Sequence, residues 1–385
     1  MKKFTVLCLL ATSVAFAAPA GSSEEASSSS LEAFDHLRGH AYNPYSTQGA
    51  ASTVVDLLLY PSDIYGKKFF YVSPTDNVGY AAFDFLGGSG LFGLDNSIPE
   101  NGYPLAALLL GYATPSFGVA LHYSVAKVWN STSTKPETSM RTTLPGDDIG
   151  LSFSLPLGSA KLYAIGDWLT EGTSWASDFD GNQNKLDIST IYTRAGLAGT
   201  AGSLSYDANL FLERSGATLT DNDGKKYTDS ESYLMGGLGF DLGYAALQNS
   251  SARVLVGLNN VFGMYFTDEI KNGREGDNVM ALIISPNILA EVVLFENWLA
   301  FAGAMHNLNL MFGDGDGNDD THQTVLAHYE FDDPPNSGTR TFAGIRYQRT
   351  NYAFEAQVST NVFNNPFGGF NGSNIFANFG GFIYF

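Results

Sequence analysis

The sequence predicts an all-β chain folded as a transmembrane, antiparallel up-and-down β-barrel of about fourteen strands, or sixteen by a second count. A plug, or a segment lying beneath the barrel, precedes it. Three observations lead there. Apolar residues recur at every second position over runs longer than ten residues, which is the period of a strand and enough to cross a tilted bilayer. Short and long connections alternate without a break, as in a barrel with tight turns at one end and open loops at the other. The chain holds 42 Gly, 20 Tyr and 28 Phe in 385 residues, and its mean hydropathy is -0.04, with apolar side chains scattered rather than gathered into helical stripes.

The alternation is clearest in four places. Phe117, Val119, Leu121, Tyr123 and Val125 alternate with Gly118, Ala120, His122 and Ser124. Leu204 to Leu212 sets Leu204, Tyr206, Ala208, Leu210 and Leu212 against Ser205, Asp207 and Asn209, with Glu213 following. Met280 to Leu294 presents one unbroken apolar face at even positions, with Ser285, Asn287 and Glu291 opposite. Tyr352, Phe354, Ala356 and Val358 alternate with Glu355, Gln357 and Ser359. Each is a strand with one apolar face and one wet face.

The last eleven residues, Ile375 to Phe385, follow the same rule and end on an aromatic side chain. This resembles the closing strand of Gram-negative outer-membrane β-barrels. The resemblance implies location in the outer membrane, contact with its lipid, and Phe385 as the signal read by the barrel assembly machinery. It also implies that Phe385 lies on the periplasmic side.

The N-terminus agrees. Lys2 and Lys3 precede an apolar stretch, Phe4 to Ala17, that is too short to span a bilayer, and Ala15-Phe16-Ala17 has the small-residue cleavage form. Residues 1–17 read as a secretory signal, with Ala18-Pro19-Ala20 as a second cleavage option. Cys8 falls inside it, so the exported chain would carry no cysteine and use no disulfide. Residues 21–30 form a Ser-rich linker. Residues 31–77 are expected to be a periplasmic or plug segment, with Ala51 to Tyr60 helical and Lys67 to Val72 extended. The barrel is expected over 78–385.

Connection lengths give the strand count. Short links occur near Thr114-Pro115, Pro156-Leu157, Thr200-Ala201, Gln248-Asn249, Glu296-Asn297 and Thr350-Asn351. Long polar links fall at 87–103, 130–146, 170–186, 214–230, 267–277, 313–338 and 363–373. The strands are then roughly 78–86, 104–112, 116–129, 147–155, 158–169, 187–199, 202–213, 231–245, 251–266, 278–294, 297–312, 339–349, 351–362 and 373–385. Gln323 to Phe331 also alternates; pairing it with Lys67 to Val72 would give sixteen. Trp129 and Trp168 are expected at one membrane interface and Trp298 at the other, with Trp175 in a loop.

The formal charge is -19, and becomes -21 without Lys2 and Lys3, so no nucleic-acid partner is expected. Asp314, Asp316, Asn318 and Asp320 place oxygen ligands at alternate positions in a Gly-containing loop, which suits Ca²⁺ weakly. Asp178, Asp180 and Asn182 do likewise, as do Asp221 and Asp223. None completes an EF-hand, and a solvated acidic loop is the preferred reading; no cofactor is expected. His122-Tyr123-Ser124 is similar to the His-x-Ser of the outer-membrane phospholipase family. Val125-Ala126 stands where that family has Asn-Gly, and alternation turns the pair to the wet face. No enzymatic activity is expected.

The wet face carries Asp207, Glu213, Arg253, Glu291, Arg346 and Glu355, the expected pore lining. These imply a porin-like channel for passive diffusion of small polar solutes, selected by width and ring charge. Fourteen strands behind a possible plug are also similar in architecture to FadL-type transporters of hydrophobic compounds, which would want an apolar passage. A surface or adhesion barrel using the same outer loops is a further alternative.

Overall fold

The computed structural model of the chain describes residues 57–73, 78–95, 105–126, 141–144, 147–176, 183–220, 225–228, 233–267, 278–313, 338–349, 351–360 and 376–384. The strands are β1 (Phe69–Ser73), β2 (Val78–Phe85), β3 (Gly88–Asp95), β4 (Leu105–Ala113), β5 (Gly118–Ala126), β6 (Arg141–Leu144), β7 (Asp147–Leu157), β8 (Ala160–Ala176) and β9 (Gln183–Ala201). They continue as β10 (Leu204–Thr220), β11 (Lys226–Thr228), β12 (Tyr233–Gln248), β13 (Ala252–Thr267), β14 (Asn278–Phe295), β15 (Trp298–Gly313), β16 (Gly338–Arg349), β17 (Tyr352–Thr360) and β18 (Phe376–Tyr384).

Successive strands pair antiparallel, and β1 pairs on one side with β2 and on the other with β18 through Phe69↔Tyr384 and Tyr71↔Phe382. The sheet is therefore closed. The short β6 extends the ladder beside β8, and β11 does the same beside β10. Among the described residues the wall thus has sixteen staves.

One face is conserved all the way round. Tyr71 pairs with Tyr80, Tyr80 with Gly93, Gly93 with Leu109, Leu109 with His122, and His122 with Gly150. The row continues through Asp167, Tyr192, Glu213, Met235 and Tyr265. These residues face inward. Their chain neighbours face outward and are mostly large and apolar: Leu151 is 58% exposed, Ile191 53% and Leu212 50%. Inside, Glu291 is 0% exposed and Arg346 1%. A water-soluble barrel would do the reverse. Leaving an outward Leu or Phe in water forfeits roughly 1.5–3 kcal/mol, so this surface is stable only in lipid. A closed sheet leaves no unpaired edge in the hydrocarbon, and an even antiparallel count is that of bacterial outer-membrane barrels. The chain is a transmembrane β-barrel of that architecture.

All fourteen expected strands are present. The two added staves are β1 and β3. The link expected at 87–103 contains β3, whose glycines are demanded by packing rather than by a turn. A Cβ on Gly88 would stand 2.3 Å from the Ala113 carbonyl oxygen, and one on Gly93 2.5 Å from the Tyr80 ring. The tight turn lies just before it, at Leu86 and Gly87, both with positive φ. The wall also begins at Phe69, not at residue 78, so part of the expected plug segment is barrel. Trp175, expected in a loop, pairs with Arg141 because β8 runs on to Ala176. Gln323 to Phe331, Trp129, residues 1–56, the acidic stretches at 178–182, 221–223 and 314–320, and Phe385 lie outside the described residues.

Aromatic side chains collect on the outside near the tight turns. Phe85, Tyr112, Phe117 and Phe153 make successive ring contacts at 6.4–6.5 Å. Trp298 opens β15 there and packs against Phe295 and Tyr347. Trp168 faces outward on β8, and its indole N–H donates to Ser189 Oγ at 2.9 Å. Beyond it the outer face turns polar at Thr170, Ser189 and Arg214. Trp168 therefore marks the upper limit of the apolar belt on this side, although the strand continues past it.

Candidate functional site

The candidate site is the lumen at the tight-turn end, where Leu57 to Gly66 run inside the wall. We term this segment the strap. Tyr60 is followed by Pro61, which opens a 3-10 turn, Pro61–Ile64. Proline suits the first turn of such an element because its absent N–H needs no partner there.

The strap meets the wall on two sides. One flank is apolar. Leu57 and Ile64 pack with Phe69, Tyr71, Val78, Tyr80, Leu91, Leu109 and Phe382 in one buried cluster. Gly111 admits Ile64, since a Cβ there would lie 2.5 Å from Ile64 Cδ1. The other flank is polar. Ser152 Oγ donates to the Leu58 carbonyl, the Ser62 N–H donates to Ser154 Oγ at 2.7 Å, and Ser154 Oγ donates to Ser62 Oγ at 2.8 Å. Lys161 forms an ion pair with Asp63, and the Gly66 N–H donates to Ser89 Oγ at 2.9 Å. Backbone groups that a strand or helix would satisfy are here satisfied by wall serines.

The strap's most connected polar contact is Tyr60, whose hydroxyl donates to the Asp207 carboxylate. Tyr163 donates to the same carboxylate at 2.7 and 2.9 Å, and Asn209 Nδ2 donates to it at 2.9 Å. Arg194 stands 3.8 Å from Asp207 Oδ2 and 5.6 Å over the Tyr163 ring. Tyr60 meets Tyr163 edge-on, with ring centres 5.0 Å apart, and Lys161 Nζ lies 4.7 Å over the Tyr60 ring. Burial, and then the facing Asp207 carboxylate, hold the Tyr60 phenol well above its ordinary pKa, so it is a donor.

All six sequence-expected lumen residues face inward and are buried. Ion pairs and tyrosine contacts involve them. Arg253 Nε donates to Glu291 at 2.7 Å across β13 and β14, and Arg346 lies 2.9 Å from Glu355 across β16 and β17. Glu213 accepts from the Tyr233 hydroxyl, and Asp207 belongs to the strap contact. His122 Nε2 lies 3.5 Å from both Asp148 and Asp167, while Ser124 Oγ donates to Asp148 at 3.3 Å. The Ser124 hydroxyl is thus directed at Asp148, and His122 sits between two carboxylates.

Sequence reasoning missed Tyr60, Lys161, Tyr163 and Arg194. Lys161, Tyr163 and Ile165 do alternate with Leu162 and Ala164, so the inward side of β8 was legible. Nothing local shows that Tyr60, from before the first stave, reaches Asp207.

The sequence matches no protein-family model and no curated protein. Solved structures resemble the fold distantly. The ferric preacinetobactin receptor BauA from Acinetobacter baumannii has a TM-score of 0.42 at 11% identity, over 76% of this chain and 53% of the receptor. This chain therefore spans about half the length of that receptor. The Ralstonia pickettii toluene transporter TbuX has a TM-score of 0.38 at 9% identity, over 91% of this chain and 97% of the transporter. The monoaromatic hydrocarbon channel CymD gives 0.38 at 10% identity, over 91% and 93%.

Proposed function

We propose that the protein is an outer-membrane channel for passive diffusion of small polar solutes, narrowed at its tight-turn end by the strap. The observation that carries this reading is the two-faced wall, with Asp207, Glu213, Arg253, Glu291, Arg346 and Glu355 inward and leucine and phenylalanine outward on the same strands. Charged groups are stable at membrane depth when they face a protein interior or a wet cavity, and they mark ion and solute pathways. The pathway is non-catalytic: the wall orients and filters solutes by width and charge. Purified protein in planar bilayers should give discrete conductance steps whose cation preference follows the acidic excess. Folded protein that never opens a pore would overturn the proposal.

A second reading, a FadL-type passage for hydrophobic compounds, is favoured by one feature. The cluster of Leu57, Ile64, Phe69, Tyr71, Val78, Tyr80 and Phe382 gives the lumen an apolar flank. Uptake of a neutral polar solute and of an aromatic hydrocarbon into proteoliposomes separates the two readings.

A further inference from the structure

The contacts of Tyr60 are those of a bound phenol. Its hydroxyl is taken by a carboxylate, its ring meets another ring edge-on, and an ammonium group stands over its face. A hydroxyl held by a charged acceptor and a ring held by aromatic and cationic groups are what a site for a hydroxyl-bearing aromatic molecule requires. Every group on the receiving side belongs to the barrel wall: Lys161 and Tyr163 on β8, Ala198 on β9 and Asp207 on β10. From the strap come Tyr60 and, packed beside it, Leu59, while Lys161 is also ion-paired to the strap's Asp63.

The receiving groups are also arranged without help from Tyr60. Asp207 is oriented by Tyr163 and Asn209 and faces Arg194, all of them wall residues. With Tyr60 in place, Tyr163 is 1% exposed and Ala198 6%, so the contact is closed to water. A site held in shape by its own wall is preorganised, and its occupant need not be covalently attached.

We propose that the inner faces of β8, β9 and β10 form a binding subsite for small hydroxyl-bearing aromatic solutes, which the chain's own Tyr60 occupies as a tethered ligand. The proposal rests on the reading of the lumen as a solute passage. A free phenol would compete with Tyr60 for Asp207, loosening the strap at that anchor, so that the solute itself favours the open passage. An aromatic hydrocarbon of the same size offers no donor and would leave the buried Asp207 carboxylate short of one hydrogen bond.

The test uses 4-methylphenol, which is the tyrosine side chain freed from its backbone, and toluene, which lacks only the hydroxyl. Equilibrium binding is measured on full-length protein in detergent micelles, with folding checked by heat-modifiable migration. Tyr60→Ala should bind 4-methylphenol about tenfold or more tightly than the wild type, and prefer it to toluene by about tenfold or more. Adding Asp207→Leu, which removes the acceptor, should abolish that preference. No binding to folded Tyr60→Ala, equal binding of the two ligands, or a preference that survives Asp207→Leu would each overturn the subsite. Should Tyr60→Ala fail to fold, Tyr60→Phe reads the same competition: it keeps the ring but not the donor, and must bind 4-methylphenol more tightly than the wild type. Binding needs no transport, so a protein that binds 4-methylphenol as expected but never conducts supports the subsite while removing the passage.

Discussion

Gly118 lies against the backbone of Ser62, so closely that a Cβ on it would stand 2.1 Å from the Ser62 nitrogen. The same Cβ would meet the Pro61 carbonyl carbon at 2.2 Å, and both neighbours are main chain. Gly118→Ala should therefore displace the strap while leaving the β4 and β5 ladder in place. The measurement is hydrogen exchange of the strap amides, above all Ser62, whose N–H donates to Ser154. Faster exchange confined to the strap is expected; unchanged exchange would show that the wall gives instead.

The strap's effect on flow can be read by deletion, and the boundary matters. Residues 31–66 can be removed without touching a stave, whereas a cut extending to residue 72 would take Phe69 to Val72 out of β1. Deletion of 31–66 should raise single-channel conductance in planar bilayers. Unchanged conductance in a correctly folded deletion would mean that the strap does not restrict the lumen.

The Arg253–Glu291 pair is buried, with side chains 4% and 0% exposed. Removing one partner from such a pair strands the other, at a cost of about 3–5 kcal/mol. Glu291→Leu should destabilise the barrel by that amount, measured by denaturant unfolding in micelles. The double variant Arg253→Met/Glu291→Leu should recover most of the loss. Equal loss in both would place the energy in packing rather than in charge.

Truncating Phe385 should lower the amount of protein in the outer membrane, because the closing strand is proposed as the assembly signal. The adjacent Tyr384 pairs with Phe69 at the seam. Quantitative blotting of membrane fractions tests this, and normal levels of heat-modifiable protein in Phe385→Ser would refute it.

Much of the wall was legible in the sequence because alternation and membrane depth reinforce each other. From β4 to β18 every expected strand is present, and six inward positions were named, Glu291 and Arg346 among them. The two omissions have physical causes. In β3, Gly88, Gly90 and Gly93 read as turn residues, yet at Gly88 and Gly93 it is the neighbouring strands that leave no room for a side chain. In β1, Lys67 to Val72 reads as extended but counts as a stave only in the sixteen-strand alternative, since five residues are too few to show a period and the apolar content of Phe69, Phe70 and Tyr71 resembles a packed plug. The Tyr60–Asp207 contact was not legible at all. It joins residues 147 apart, and no local pattern encodes that closure.

The seam of the barrel has a mechanical consequence. At the β1–β18 junction the ladder runs from Phe69 to Val72 against Tyr384 to Gly381, whereas β9 and β10 run together from Ala201 and Leu204 to Lys185 and Thr220. A chain pulled from its C-terminal end loads this short junction first, while on the other side β1 is continuous with the strap. Force on the N-terminus would therefore reach the Tyr60 and Ser62 anchors before it reached any stave. The strap works as a strain relief for the weakest weld in the cylinder, and rupture would begin in the lumen rather than at the lipid.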